Sequence, residues 1–235
     1  MKKLLRLLAM LLCVFALTAC GDDDNDDNIT EGKDGVYVIN GHKFVDLGLP
    51  SGLLWATRNV GAESIYEIGN YYSWGEIEPK NKYTLATYKW FDGDEFTKYT
   101  QEDGKRELDA ADDVATVKWG KKCRLPKFAE AIELVTKCKW EWRLSYDNQS
   151  INGYLVTGPN GNSIFLPAAG FNTGSLIECS GESGDYLIKD ITHRYESNQY
   201  IEILTFWERK IDPTESSFTS SYRVWGHSAR PVATK

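Results

Sequence analysis

Val36-Tyr37-Val38-Ile39-Asn40-Gly41-His42-Lys43-Phe44-Val45-Asp46 opens the part of the chain that can build a core. Valine, tyrosine, isoleucine and phenylalanine suit the pleated, half-buried surface of a strand. Asn40-Gly41 tolerates the two positive φ angles of a type I′ turn, so 36–39 and 43–46 are expected to pair as a hairpin. Turn chemistry follows at 48–52 around Pro50. The apolar run 53–60 then reads as a buried strand with its connection.

Downstream, two segments carry helical signals. Residues 109–119 begin with acidic cap residues and Ala110. Residues 126–138 are clearer. Pro126 suits a first helical turn, where a missing N–H is no loss. Phe128, Ala131, Ile132 and Val135 recur at helical spacing as one apolar stripe. The second half returns to strands. Trp140 and Trp142 alternate with polar residues. Residues 153–157 and 163–167 flank the turn Pro159-Asn160-Gly161-Asn162, and 199–207 is rich in strand formers. Residues 222–225 and 228–232 are expected as short terminal strands. No linker splits 36–235, so the expectation is one strand-rich α+β domain with two central helices.

Upstream, Lys2, Lys3 and Arg6 precede an apolar run at 7–17. The run is short of the ~20 apolar residues that span a bilayer. A basic flank, a short apolar run and small residues at its end read as a secretory signal peptide, 1–19. Losing those three cations takes the formal net charge from −7 to −10. So acidic a surface is repelled by phosphate backbones and anionic lipid head groups, which sets nucleic acid aside as a partner. Any membrane link must come from lipid.

Leu17-Thr18-Ala19-Cys20 resembles the lipobox of bacterial lipoproteins. The resemblance implies cleavage after Ala19 and lipidation of Cys20, with an anchor in the outer membrane. Gly21-Asp22-Asp23-Asp24-Asn25-Asp26-Asp27-Asn28 has no apolar face to bury, and residues 20–35 read as a solvated tether. That run is also similar to the acidic export signal of Bacteroides-type surface lipoproteins. This implies display on the cell exterior, with the periplasmic face as the alternative.

Chemistry-bearing residues are sparse. Cys123, Cys138 and Cys179 remain in the mature form; an exported location permits disulfides, with Cys123 to Cys138 one candidate bridge. No C-x-x-C pair signals zinc or dithiol chemistry. His42, His193 and His227 lack metal-ligand spacing, and His42 reads as a surface residue. Asp103, Glu107, Asp109, Asp112 and Asp113 are dense enough to raise a calcium reading, without the loop pattern such a site uses. They read more simply as a solvated face and helix caps. Glu76 and Glu78 beside Trp74 raise a weak glycosidase reading. No nucleophile elbow, P-loop or dinucleotide fingerprint is present. No catalytic residue, metal or cofactor is therefore assigned.

Several blocks carry a family resemblance. They are Val45-Asp46-Leu47-Gly48-Leu49-Pro50-Ser51-Gly52-Leu53-Leu54-Trp55-Ala56-Thr57, Asn59-Val60-Gly61-Ala62, Gly69-Asn70-Tyr71-Tyr72-Ser73-Trp74-Gly75-Glu76, Arg124-Leu125-Pro126 and Gly226-His227-Ser228-Ala229-Arg230-Pro231-Val232. Together they are similar to the Fibrobacter succinogenes major paralogous domain family. That family looks like the C-type-lectin-like fold of formylglycine-generating enzymes and retroelement variable proteins. The resemblance implies closed termini, two helices and a loop-rich ligand face. The closely spaced copper-binding cysteines of the enzyme branch are missing, and Ala229 and Arg58 depart from the family pattern.

Trp207, Phe218, Tyr222 and Trp225 gather late in the chain near Arg209, Arg223 and Arg230. Aromatic plus arginine composition serves binding hot spots and sugar platforms, and also serves cores. By the resemblance alone, 217–227 is the candidate surface. Phe218, Tyr222, Arg223, Trp225 and His227 are its candidate ligand-binding residues, for a protein or glycan ligand. Two other readings stay open: an enzyme acting on surface polysaccharide or a degenerate formylglycine-type relative, and a structural subunit of an envelope assembly.

Overall fold

The computed structural model describes residues 29–33, 35–191, 197–208 and 217–235. The expected signal segment, Cys20, His193 and Arg209 lie outside them. Among the described residues strand accounts for 37% and helix for 13%, so the α+β expectation holds.

The opening hairpin forms as expected. Val36–Ile39 and His42–Asp46 pair antiparallel, and Asn40 and Gly41 between them both have positive φ, 49° and 79°. The hairpin extends into a six-stranded antiparallel sheet. Its strand order is Ile29–Glu31, Val36–Ile39, His42–Asp46, Leu54–Ala56, Val232–Ala233, Cys123–Arg124. The ordered sheet therefore begins at Ile29, inside the segment expected to be tether. Near the other end of the chain, Val232 pairs with both Trp55 and Arg124.

A second sheet has five strands, in the order Phe218–Tyr222, Tyr200–Trp207, Ser183–Leu187, His227–Ser228, Tyr71–Tyr72. Only the Ser183–Leu187 and His227–Ser228 pair is parallel. Side chains alternate along a strand, so each strand can feed two layers. Leu187, Ile201 and Ile203 join a core with Trp74, Tyr99 and Leu54; Tyr186, Leu204 and Phe206 join another with Trp55, Val135 and Val156. With both faces covered, its strand Tyr200–Trp207 is mostly apolar on both sides. Fully burying each large side chain contributes roughly 1.5–3 kcal/mol. The Gly153–Thr157 and Ser163–Pro167 hairpin, with Lys139–Arg143 at its edge, closes the second core.

Four expectations are corrected. Residues 109–119 are not one helix. Asp113 is extended at φ −87°, ψ 110°, which separates a 3₁₀ turn, Ala110–Asp112, from the helix Val114–Trp119. The reason is capping: the buried Asp113 carboxylate accepts from the N–H groups of Ala115, Thr116 and Leu125. The clearer helix runs Phe128–Lys137, so Pro126 stands ahead of the first turn rather than in it. Residues 222–225 and 228–232 are not two strands. The first strand is Phe218–Tyr222 and is followed by a turn. The last residues divide into His227–Ser228 and Val232–Ala233, which belong to different sheets. Pro231, which has no N–H for a ladder, lies in the crossing. No disulfide joins Cys123 to Cys138, so the candidate bridge is absent.

Asp185, in the central strand of the second sheet, is 5% exposed and accepts from the Thr205 hydroxyl at 2.5 Å. Burial raises its pKa to about 6, with the Thr205 bond opposing. In the unfolded chain an aspartate titrates near ~3.9. The folded state therefore holds this proton more tightly. Its contribution is fully present below about pH 4 and is lost as pH rises through about 6. Asp185→Asn is expected to raise stability at pH 7.5 by up to about 3 kcal/mol and to change little at pH 4. Urea unfolding at the two pH values measures this; equal effects at both would refute the assignment.

Candidate ligand-binding cleft

The strand Phe218–Tyr222 ends where Tyr222 stacks on Tyr200, with ring centroids 4.7 Å apart and the two hydroxyls 3.1 Å apart. The chain then turns, and the Trp225 N–H donates to the Tyr222 carbonyl at 3.0 Å. Trp225 lands against Tyr222 at 4.8 Å and lies nearly parallel to Phe171 at 5.6 Å. Gly226 pairs with Asn172 through two backbone bonds of 2.8 and 2.9 Å, and Tyr83 pairs with Gly174 at 2.7 and 3.2 Å. These pairings draw distant segments around one opening. The resulting cleft of about 300 Å³ is lined by Tyr83, Thr84, Leu85, Phe96, Gly174, Gln199, Tyr222, Val224 and Trp225.

A close approach fixes one wall. A Cβ on Gly226 would fall 2.7 Å from the Tyr83 ring and 2.9 Å from the Tyr71 Cβ. Gly226→Ala is expected to displace Tyr83 at a cost of about 1–3 kcal/mol. A melting temperature equal to wild type would show that the wall yields freely.

The candidate residues divide. Tyr222 and Trp225 line the cleft. Phe218 is 8% exposed and packs on Phe128 at 4.6 Å, so it belongs to a core. Arg223 and His227, offered as ligand contacts, are buried at 0% and 1% exposure, which is the correction to that expectation. Arg223 turns inward because its planar fork finds several acceptors there. It donates from Nε to the Tyr88 hydroxyl at 2.9 Å, from Nη1 to the carbonyls of Tyr99 and Asn198 at 3.1 Å each, and from Nη2 to the Lys98 carbonyl at 3.0 Å. The Phe96 ring lies 4.9 Å from the guanidinium carbon. The Arg223 N–H also donates to the Gln199 carbonyl at 2.9 Å. Arg223 thus ties the segments bearing Phe96, Gln199 and Tyr222 to one another from behind the cleft. Trp207, at 45% exposure, stands at the far end of its strand and does not line the cleft. Arg230 is likewise buried, as a separate pin between the Asn59, Ala56 and Phe165 segments.

His227 Nε2 lies 2.9 Å from the Ser221 hydroxyl, a serine–histidine contact the sequence did not announce. Burial pushes the imidazole pKa down to about 3, against an upward pull from the Tyr222 backbone. A base matched to neutral pH needs a pKa near the working value. Neither residue lines the cleft.

The other acidic candidates are engaged elsewhere. Asp112 accepts from Lys98 at 2.6 Å and from the Tyr99 hydroxyl at 2.7 Å, and pairs with Lys89 at 3.3 Å. Asp109 pairs with Lys98 and Lys105 at 2.7 Å each, whose ammonium groups lower its pKa to about 2. Lysine ammonium groups thus face the carboxylates of Asp109 and Asp112. Asp103 accepts from the Tyr99 and Lys105 N–H groups, and Glu107 pairs with Lys127. Glu76 is buried, accepts the Lys89 N–H at 2.7 Å and pairs with Lys80, while Glu78 pairs with Lys118. His42 is half-buried, stacked on Trp119 at 3.8 Å, rather than a free surface residue.

Among the described residues no helix is long and apolar enough to cross a membrane. Tyr83, Leu85, Phe96, Gly174 and Gln199 carried no local signal in the sequence, because pairings across the fold bring them to the cleft. Comparison of the chain with protein-family models, with curated proteins and with solved structures finds no match.

Proposed function

We propose that this chain is an outer-membrane lipoprotein, lipidated on Cys20 and facing the cell exterior. Its C-type-lectin-like domain holds a protein or glycan ligand in the aromatic cleft without reacting on it. One observation carries the binding reading. Tyr222 and Trp225, from the closing region, meet Tyr83, Phe96 and Gln199 around a single opening whose back wall is fixed by the buried Arg223. Concave, largely apolar clefts with a few polar groups are the usual form of ligand sites. The fold reading is supported by the closing strand Val232–Ala233, which pairs beside Leu54–Ala56 and brings the two ends of the domain into one sheet.

The anchor reading rests on the basic flank, the apolar run and Leu17-Thr18-Ala19-Cys20. Two or more acyl chains hold a protein stably, at about 0.8 kcal/mol per buried methylene.

Two measurements test this. Palmitate label is expected on the full chain and not on Cys20→Ser; label on both would remove the anchor. The full chain is expected to retain ligands on a combined protein and glycan array, with Trp225→Ala and Tyr222→Ala each losing about tenfold or more in affinity, the effect of truncating an aromatic hot spot. Retention undiminished in both variants would place the binding surface elsewhere.

A further inference from the structure

We infer that the cleft takes an uncharged apolar side chain of a protein ligand, aromatic or branched aliphatic, rather than a sugar ring. This rests on the binding reading above and narrows it. Among the described residues the lining holds no acid, no lysine, no arginine and no histidine. Its tyrosine hydroxyls are already engaged. Tyr83 donates to the Tyr71 carbonyl at 2.7 Å, and the Tyr222 hydroxyl meets that of Tyr200 at 3.1 Å. The Thr84 hydroxyl lies 3.3 Å from that of Thr87. What remains for a ligand among the lining side chains is chiefly the Gln199 amide and the Trp225 indole N–H.

A pyranose presents a hydroxyl on most of its carbons. Each one buried without a partner costs about 1–3 kcal/mol. One amide and one indole N–H cannot meet that demand, whereas an apolar side chain makes none.

The rim points the same way. Leu85 is 40% exposed beside Tyr83, and Leu176 is 66% exposed opposite Thr173, at the tip of the hairpin that supplies Gly174. Apolar rim residues exclude water around an anchored side chain and contribute area against a protein surface. They offer little to a hydroxylated ring. The neutral wall of an otherwise acidic chain complements a neutral anchor, and about 300 Å³ suits one or two side chains rather than an oligosaccharide. Trp225 is held by Phe171 and Tyr222 before any ligand arrives, which lowers the ordering cost of binding.

The test uses the full chain in lipid nanodiscs with ¹⁵N-labelled tryptophan, its Trp225 indole signal identified by loss in Trp225→Phe. The probes are N-acetyl-phenylalaninamide, N-acetyl-leucinamide and N-acetyl-aspartamide, against the methyl glycosides of glucose, galactose and mannose. The phenylalanine and leucine amides are expected to shift the Trp225 signal, while the aspartate amide and the glycosides leave it in place. Leu85→Asp, at an exposed position of the lining, is expected to weaken the amides at least fivefold with the other indole signals unmoved. Glycosides that shift Trp225 while the amides do not would overturn this inference and leave the binding reading standing. Silence from every probe would sink both.

Discussion

Arg223→Ala is expected to destabilise the protein by about 3–5 kcal/mol, the scale for removing a buried charged group from its hydrogen bonds. The side chain is fully buried and serves four acceptors. Truncation strands the buried Tyr99 carbonyl and leaves the partly buried carbonyls of Lys98 and Asn198 without this donor, and a stranded buried acceptor carries its own desolvation cost. The loss extends to the cleft, because the same atoms hold the segments of Phe96 and Gln199 in place. Arg223→Lys is expected to rescue only part of the stability. An ammonium is a point donor and cannot reproduce a planar fork with acceptors on several sides. Urea unfolding gives the magnitude. A loss below about 1 kcal/mol in Arg223→Ala would show that these bonds exchange freely with water.

Arg230→Ala is expected to cost a similar amount, about 3–5 kcal/mol, with a different footprint. Its guanidinium donates to Asn59 Oδ1 at 2.8 Å, to the Ala56 carbonyl at 2.8 Å and to the Phe165 carbonyl at 3.0 Å. It therefore joins the first sheet to the Ser163–Pro167 strand behind both cores. Burial pushes its pKa down to about 10, which leaves it charged at neutral pH. Faster amide exchange is expected around 56–59 and 163–167 in this variant, and around 96–99 and 198–199 in Arg223→Ala. Identical exchange maps in the two variants would refute separate pins.

The contrast between these arginines and their sequence reading shows where local patterns lose reach. Asn40-Gly41 and Pro159-Asn160-Gly161-Asn162 announced their hairpins because turn chemistry is local and fixes the register of what flanks it. The apolar stripe of Phe128–Lys137 announced its helix for the same kind of reason. Asp113 was read as one acid among five. In fact it caps from the inside, and that inward turn is what breaks residues 109–119. Arg223 sits between Tyr222 and Trp225, and arginine among aromatics has the same composition in a hot spot and in a buried pin. Only the positions of Lys98, Tyr99 and Asn198, 25 and 124–125 residues away, decide between them. Only a minor part of the cleft was therefore legible, as Tyr222 and Trp225. Much of the rest comes from segments that the pairings of Tyr83, Gly174 and Gly226 deliver.

Hydrogen–deuterium exchange on the full chain, with and without its captured ligand, bears most directly on the cleft as the binding surface. Slower exchange is expected at 83–85, 96–97, 198–200 and 222–226 together. Protection confined instead to the smaller opening lined by Lys43, Arg58 and Ser64, or spread along 139–143, would contradict the account.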